Sequence, residues 1–114
     1  MLYRLQVLAT VWLSLTLTGS ASAQTPAIDK GTQVFAAQKC SICHAIAGKG
    51  NAKGALDTIG SKLSPDEIRQ WIVDAPAMAA RVNATRKPAM KSFASLSKDD
   101  LDALVAYLQT LKKT

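Results

Sequence analysis

Both cysteines and the single histidine of this 114-residue chain stand within five consecutive positions, Cys40-Ser41-Ile42-Cys43-His44. No other feature restricts the fold so tightly, because every thiol and the only imidazole must serve one place. A disulfide between Cys40 and Cys43 would close a very short loop and restrain the unfolded chain little. Zinc is a poor match, since three adjacent ligands leave no second cysteine or histidine group to complete a tetrahedron. A thioredoxin-like redox pair needs strands on either side, and no period-two strand pattern is readable anywhere in the chain.

The segment before the cluster suggests its compartment. Residues 1–23 carry one cation, Arg4, then the apolar run LQVLATVWLSLTL, and end on Ala21-Ser22-Ala23. This is the layout of a secretory signal peptide cleaved after Ala23. The run is interrupted by Gln6, Thr10, Ser14 and Thr16 and falls short of the roughly 20 apolar residues of a spanning helix. Residues 24–114 are then expected as a single domain, periplasmic or otherwise exported, with no membrane span after cleavage. A domain of that size leans on a staple, a metal or a cofactor. Its aromatic residues, Phe35, Trp71, Phe93 and Tyr107, are too few to dominate a core.

Cys-x-x-Cys-His is the signature of covalent haem c attachment. Two thiols three positions apart on a helical turn can each add to one vinyl group of the macrocycle, and the following His44 is carried beneath it to ligate the iron. The expected cofactor is therefore one covalent haem c on Cys40 and Cys43. With no second histidine, the sixth iron position falls to a methionine. Met90 lies in RKPAMKSFASLS, a proline-containing loop between two helical patterns, where a ligand for the opposite face belongs. Met78, in PAMAARV, is the competitor, although apolar packing is the ordinary fate of either thioether.

Helical patterns account for most of the rest. Asp29 is a candidate cap for a helix to about Lys39, with Val34 and Phe35 inward and Gln33 and Gln38 exposed. Ser64-Pro65-Asp66-Glu67 combines an N-cap serine, proline at the first helical position and glutamate three residues after the cap. Ile68, Trp71 and Ile72 form its inward stripe, and Pro76 is expected to end it. Ser97 is placed to cap a last helix whose apolar face is Leu101, Leu104, Val105, Leu108 and Leu111, with Lys112 and Lys113 at its end. Between the cluster and Ser64, GKGNAKGALDTIGSK reads as an irregular loop.

From about Asp29 to Lys112 the chain resembles the class I c-type cytochromes. KGTQVFAAQKCSICH supplies the family's glycine and aromatic, Gly31 and Phe35, ahead of the haem motif; LDALVAYLQTL supplies Tyr107; Met90, Phe93 and Leu96 match its Met-x-x-Phe-x-x-Leu pattern. The resemblance implies an all-α fold in which N- and C-terminal helices cross and short helices and loops wrap around one haem. It has two departures. Lys91 stands where the family's methionine is commonly followed by proline. Gly54-Ala55-Leu56 replaces a Gly-Pro-x-Leu segment whose proline carbonyl accepts a hydrogen bond from the proximal imidazole, which implies Ala55 in that role. In related cytochromes a tryptophan often donates to a propionate, so Trp71 is either such a donor or core packing.

An iron held by His44 and Met90 has no open position for substrate, and the thioether favours the ferrous state. The expected function is one-electron transfer, with no catalytic acid, base or nucleophile. A bound electron-transfer subunit of a larger dehydrogenase or oxidase is the alternative. A ligand-binding or peroxidase-like haem protein is a poorer match for want of a distal acid–base group. The formal charge of +6 falls to +5 when Arg4 leaves with the signal peptide. Lys39, Arg86, Lys87 and Lys91 bracket the two ligand-bearing segments, which suits docking to the acidic surface of a redox partner. No nucleic-acid partner is expected of an exported haem protein that lacks a basic aromatic platform, and a monomer is the favoured state.

Overall fold

The computed structural model describes residues 25–114. The expected signal peptide and its cleavage point lie outside those residues. Among the described residues the chain forms five α-helices and one minimal hairpin: α1 (Pro26–Ala37), β1 (Ala45–Ile46), β2 (Lys49–Gly50), α2 (Ile59–Lys62), α3 (Pro65–Val73), α4 (Ala75–Arg81) and α5 (Lys98–Gln109). Two single 3-10 turns, Cys40–Ile42 and Ala52–Gly54, complete it. The fold is all-α, as expected, and the hairpin is the one strand pairing the sequence did not disclose. Each strand is two residues long, too short for any alternation to register.

Local chemistry starts and stops the helices. Ser64 Oγ accepts from Glu67 N at 3.2 Å and Ser97 Oγ accepts from Asp100 N at 3.1 Å, so both expected caps form. α1 begins earlier than Asp29: Thr25 holds the N-cap position, Pro26 occupies the first turn, and Asp29 becomes a first-turn acid favoured by the helix dipole. It ends at Ala37, and Lys39 takes the left-handed conformation (φ 58°) that turns the chain into Cys40.

Pro76 does not end α3. The helix stops at Val73; Asp74 then caps α4, accepting from Ala77 N at 3.3 Å, and Pro76 lies in the first turn of this new helix. Proline lacks only a donor that the first turn leaves unused anyway. α5 likewise ends at Gln109, so Lys112 and Lys113 follow the helix rather than finish it.

The core is a cluster of Val34, Ile68, Ile72, Leu104, Val105 and Leu108, joining α1, α3 and α5. Leu101 and Leu111, at the ends of the expected α5 face, are only half-buried. α1 meets α5 closely because Gly31 has no side chain: a methyl there would overlap the Ala103 carbonyl and lie 2.6 Å from Tyr107 Cβ. The helix-interior glycine, which costs about 1 kcal/mol against alanine, is the condition for this approach. Beside it, Phe35 and Tyr107 pack edge to face with ring centroids 6.1 Å apart. At the C-terminal end of α5, Gly60 N donates to Leu111 O at 2.8 Å and Gln109 Nε2 to Leu63 O at 2.9 Å, which fixes α2 against the C-terminal residues. The helices thus leave an apolar cavity on the side of α3 and α5 that faces the Cys40–His44 turn.

Candidate haem site

Cys40 opens a 3-10 turn whose carbonyl accepts from Cys43 N at 3.1 Å and from His44 N at 2.9 Å. This turn carries both thiols and the imidazole to the wall of one cavity of about 800 Å³. Both cysteines are half-buried free thiols. Burial raises the Cys40 thiol above its ordinary pKa, only partly opposed by its own backbone and Lys91.

The hairpin is the shelf behind this turn. Its two-residue corner, Ala47 and Gly48, has positive φ at both positions, 51° and 76°, the twist that suits a tight hairpin. Gly50 (φ 109°) then passes so close to the turn that a methyl would overlap the His44 carbonyl and lie 2.9 Å from the Ser41 carbonyl. Asn51 N lies 3.2 Å from both of those carbonyls, and Asn51 Nδ2 donates to Ile42 O at 3.3 Å. The sequence pattern here reads as plain loop; the Gly-Asn pair is the available signal, and its contacts are what define the turn.

His44 Nδ1 lies 2.9 Å from the Gly54 carbonyl. A carbonyl only accepts, so Nδ1 carries the proton and Nε2 keeps the free lone pair. The acceptor is therefore Gly54, and the expectation of Ala55 is corrected: Ala55 instead bridges to Ala45, one residue past the histidine. Burial lowers the imidazole's pKa, the Gly54 hydrogen bond pulls the other way, and the Arg86 charge adds to the lowering. A neutral ring with one oriented lone pair is the form that ligates a metal.

Met90 lines the same cavity, from the segment between α4 and α5. Met78 does not. It is buried on α4, with its sulfur 3.6 Å from Arg81 Nη1, in a small dent formed with Gln70, Val73, Asp74 and Ala77. The structure thus brings Cys40, Cys43, His44 and Met90 to one cavity and leaves Met78 in the packing. The remaining wall is apolar, with Phe35, Leu56, Ile59, Leu63, Ile68, Ile72, Phe93, Leu104 and Leu108, and Trp71 among them. No polar side chain is fully buried among the described residues. Gln38, expected to face solvent, is half-buried at the cavity's edge.

These residues suit a haem. The cavity lies within the roughly 300–1,000 Å³ typical of sites that enclose small molecules and cofactors. Its lining is apolar, its charges sit at the mouth, and its donors are two thiols, an oriented imidazole nitrogen and a thioether. Lys39, Arg86, Lys87 and Lys91 all border it and are exposed. Two of the four are engaged within the chain: Arg86 Nη2 donates to the Cys43 carbonyl at 2.6 Å, and the Lys91 ammonium lies 5.1 Å from the centroid of the Phe93 ring.

A helical fold of this kind, with the thiols and imidazole on one wall of an apolar cavity and a methionine on another segment, defines a haem-binding electron-transfer module. The family model described as "Cytochrome c" matches residues 28–112, and the chain belongs to the cytochrome c family. It is 34% identical to the Cbb3-type cytochrome c oxidase subunit FixP of Azorhizobium caulinodans, over 83% of this chain and 31% of that one. It is 31% identical to cytochrome c oxidase subunit 2 of Alkalihalophilus pseudofirmus, over 74% of this chain and 25% of that protein. With a nicotinate dehydrogenase subunit of Pseudomonas putida it shares 34% identity over 73% of its length and 8% of the relative's. The chain therefore spans less than a third of each of these curated relatives. No solved structure matches significantly.

Proposed function

We propose that the chain is an exported monohaem c-type cytochrome that carries single electrons, without catalysing a reaction on a substrate. The observation that supports this most is the shared cavity: the Cys40–His44 turn and Met90 reach it from segments far apart in sequence, while Met78 does not. Haem c bound there supplies an iron that alternates between ferrous and ferric states by one electron.

The chain's residues set the conditions for that exchange. Cys40 and Cys43 would hold the group through two thioethers, and the Gly54 carbonyl, by orienting the ring, would leave His44 Nε2 free to ligate its iron. Met90, which lines the same cavity, would supply its thioether as the second iron ligand and so would leave no iron position for a substrate. The aliphatic wall excludes water, and a change of charge in an apolar setting then demands little rearrangement. Lys39, Lys87 and Lys91 at the mouth steer an acidic redox partner toward the site where electrons leave.

The test is chemical. Purified from an exporting host, the protein should retain one haem per chain through acid-acetone extraction and denaturing electrophoresis, whereas Cys40→Ser/Cys43→Ser should retain none. Complete loss from the unmodified chain contradicts the proposal. A second reading, a permanently bound subunit of a larger oxidase or dehydrogenase, is favoured by the relatives, each of which is named as a subunit of such an enzyme. Gel filtration of the native exported protein distinguishes the two: a free carrier runs at the size of one small domain, a subunit with its complex.

A further inference from the structure

The segment that presents Met90 is weakly held. Ala84 N donates to Ala79 O at 2.9 Å and Phe93 N to Ile72 O at 2.8 Å. Between them, among the described residues, no backbone hydrogen bond fixes residues 85–92. The one hydrogen bond this stretch makes to the rest of the described chain is from the Arg86 guanidinium to the Cys43 carbonyl, at 2.6 Å across 43 residues of sequence. That carbonyl belongs to the residue immediately before His44.

The contact has a built seat. A methyl on Gly54 would meet the Cys43 carbonyl and Arg86 Nη1, and would lie 2.9 Å from Arg86 Cζ. The bare α-carbon of Gly54 thus leaves room for the guanidinium, while the carbonyl of the same glycine accepts from His44 Nδ1. Cys43, His44, Gly54 and Arg86 form one contiguous group that joins the two ligand-bearing segments.

We propose that Arg86 is a positioning residue that latches the Met90 segment to the Cys40–His44 turn and thereby sets how firmly Met90 holds the iron. The inference rests on the proposed haem site. The sequence explains why such a latch is useful: Lys91 follows Met90, so no proline stiffens the chain on that side of the ligand. Arginine suits the role because its fork keeps one nitrogen on the carbonyl while the planar group lies against Gly54. Without the latch, a distal ligand on a segment free between residues 84 and 93 leaves the iron more often.

The test compares ferrous carbon monoxide affinity and the weak red absorption band of methionine-ligated ferric haem in the holoprotein, in Arg86→Gln and Arg86→Lys, and in Lys49→Gln. The last is a control that removes one exposed charge away from the cavity. Loss of one charge-assisted hydrogen bond should raise carbon monoxide affinity by about tenfold in Arg86→Gln and weaken its red band. Arg86→Lys should fall between that variant and the wild type, and Lys49→Gln should match the wild type. Thermal midpoints are measured on all variants. Equal carbon monoxide affinity and red-band strength in Arg86→Gln and Lys49→Gln would overturn the latch, and so would a lowered thermal midpoint with unchanged ligation. Should Arg86→Gln not fold, Arg86→Lys decides by the same readouts, wild-type behaviour overturning the proposal. A wild-type protein without covalent haem would instead contradict the proposed function, so the two failures are distinguishable.

Discussion

The two walls of the cavity are held in contrasting ways. On the histidine side, residues 40–56 are tied at nearly every turn: Asn51 reaches back to the Cys40–His44 turn, Leu56 N donates to Ala45 O at 2.8 Å, and Asp57 Oδ1 accepts from Ala47 N at 2.7 Å. On the methionine side, residues 85–92 have one hydrogen bond to the rest of the described chain, from Arg86. The imidazole is therefore oriented by the polypeptide itself, whereas the thioether is presented by a segment whose position depends on a few contacts. In the proposed haem site, His44 would be a ligand fixed by folding, and Met90 would be where the strength of iron coordination is tuned.

Matched substitutions that add one heavy atom to each wall should give the largest difference. Gly50→Ala places a methyl against the His44 carbonyl at a positive φ, and should cost at least about 2 kcal/mol of stability. Ala89→Ser, on the exposed methionine-bearing segment, should stay within roughly 0.5 kcal/mol. Chemical denaturation of the two variants checks this. Equal losses would show that the walls are equally constrained.

The two methionines sharpen the contrast next. Met78→Ala removes a buried side chain from α4 and should lower stability by about 2 kcal/mol, while leaving iron coordination as it was. That separation would be lost if Met78→Ala gained affinity for carbon monoxide.

Charge reversal is expected to act on the rate of electron exchange. Lys87→Glu/Lys91→Glu changes the cavity mouth; Lys49→Glu/Lys53→Glu makes the same change in net charge on the hairpin side, away from the lining. With an acidic partner at low ionic strength, the first pair should slow the bimolecular rate about tenfold relative to the second. The gap should close as salt shortens the screening length to about 8 Å at 0.15 M. Stopped-flow rates over a salt series measure it, and equal slowing would leave only overall charge as the cause.

The smallest effect lies behind both walls. Hydrogen bonds from Lys98 and Arg69 hold the Asp102 carboxyl below its ordinary pKa. A carboxylate with a depressed folded pKa adds stability at pH values above its unfolded pKa, and that contribution disappears as pH falls through the folded value. Asp102→Asn should therefore narrow the stability difference between neutral and acidic solution slightly, and less so in high salt because the pair is solvent-exposed. Acid titration of the variant beside the wild type would detect it.

How much of this is legible in the sequence follows the range of the interactions. Ser64 and Ser97 cap their helices through bonds to amides three residues away, so their roles show in the local sequence. The ligand cluster is legible for the same reason, being five adjacent residues. Pro76 misleads because proline both stops and starts helices, and Asp74 two residues before it is the cap that decides between them. Gly54 in place of Ala55, and Arg86 on the Cys43 carbonyl, depend on chain segments meeting across the fold. Spacing along the sequence carries no trace of them.

The central claim is that His44 and Met90 share one iron across this cavity, and the red absorption band of the ferric holoprotein tests it most directly. The band should be present in the wild type and in Met78→Ala and absent from Met90→Ala. A band that survives in Met90→Ala, or that disappears in Met78→Ala, would contradict the assignment.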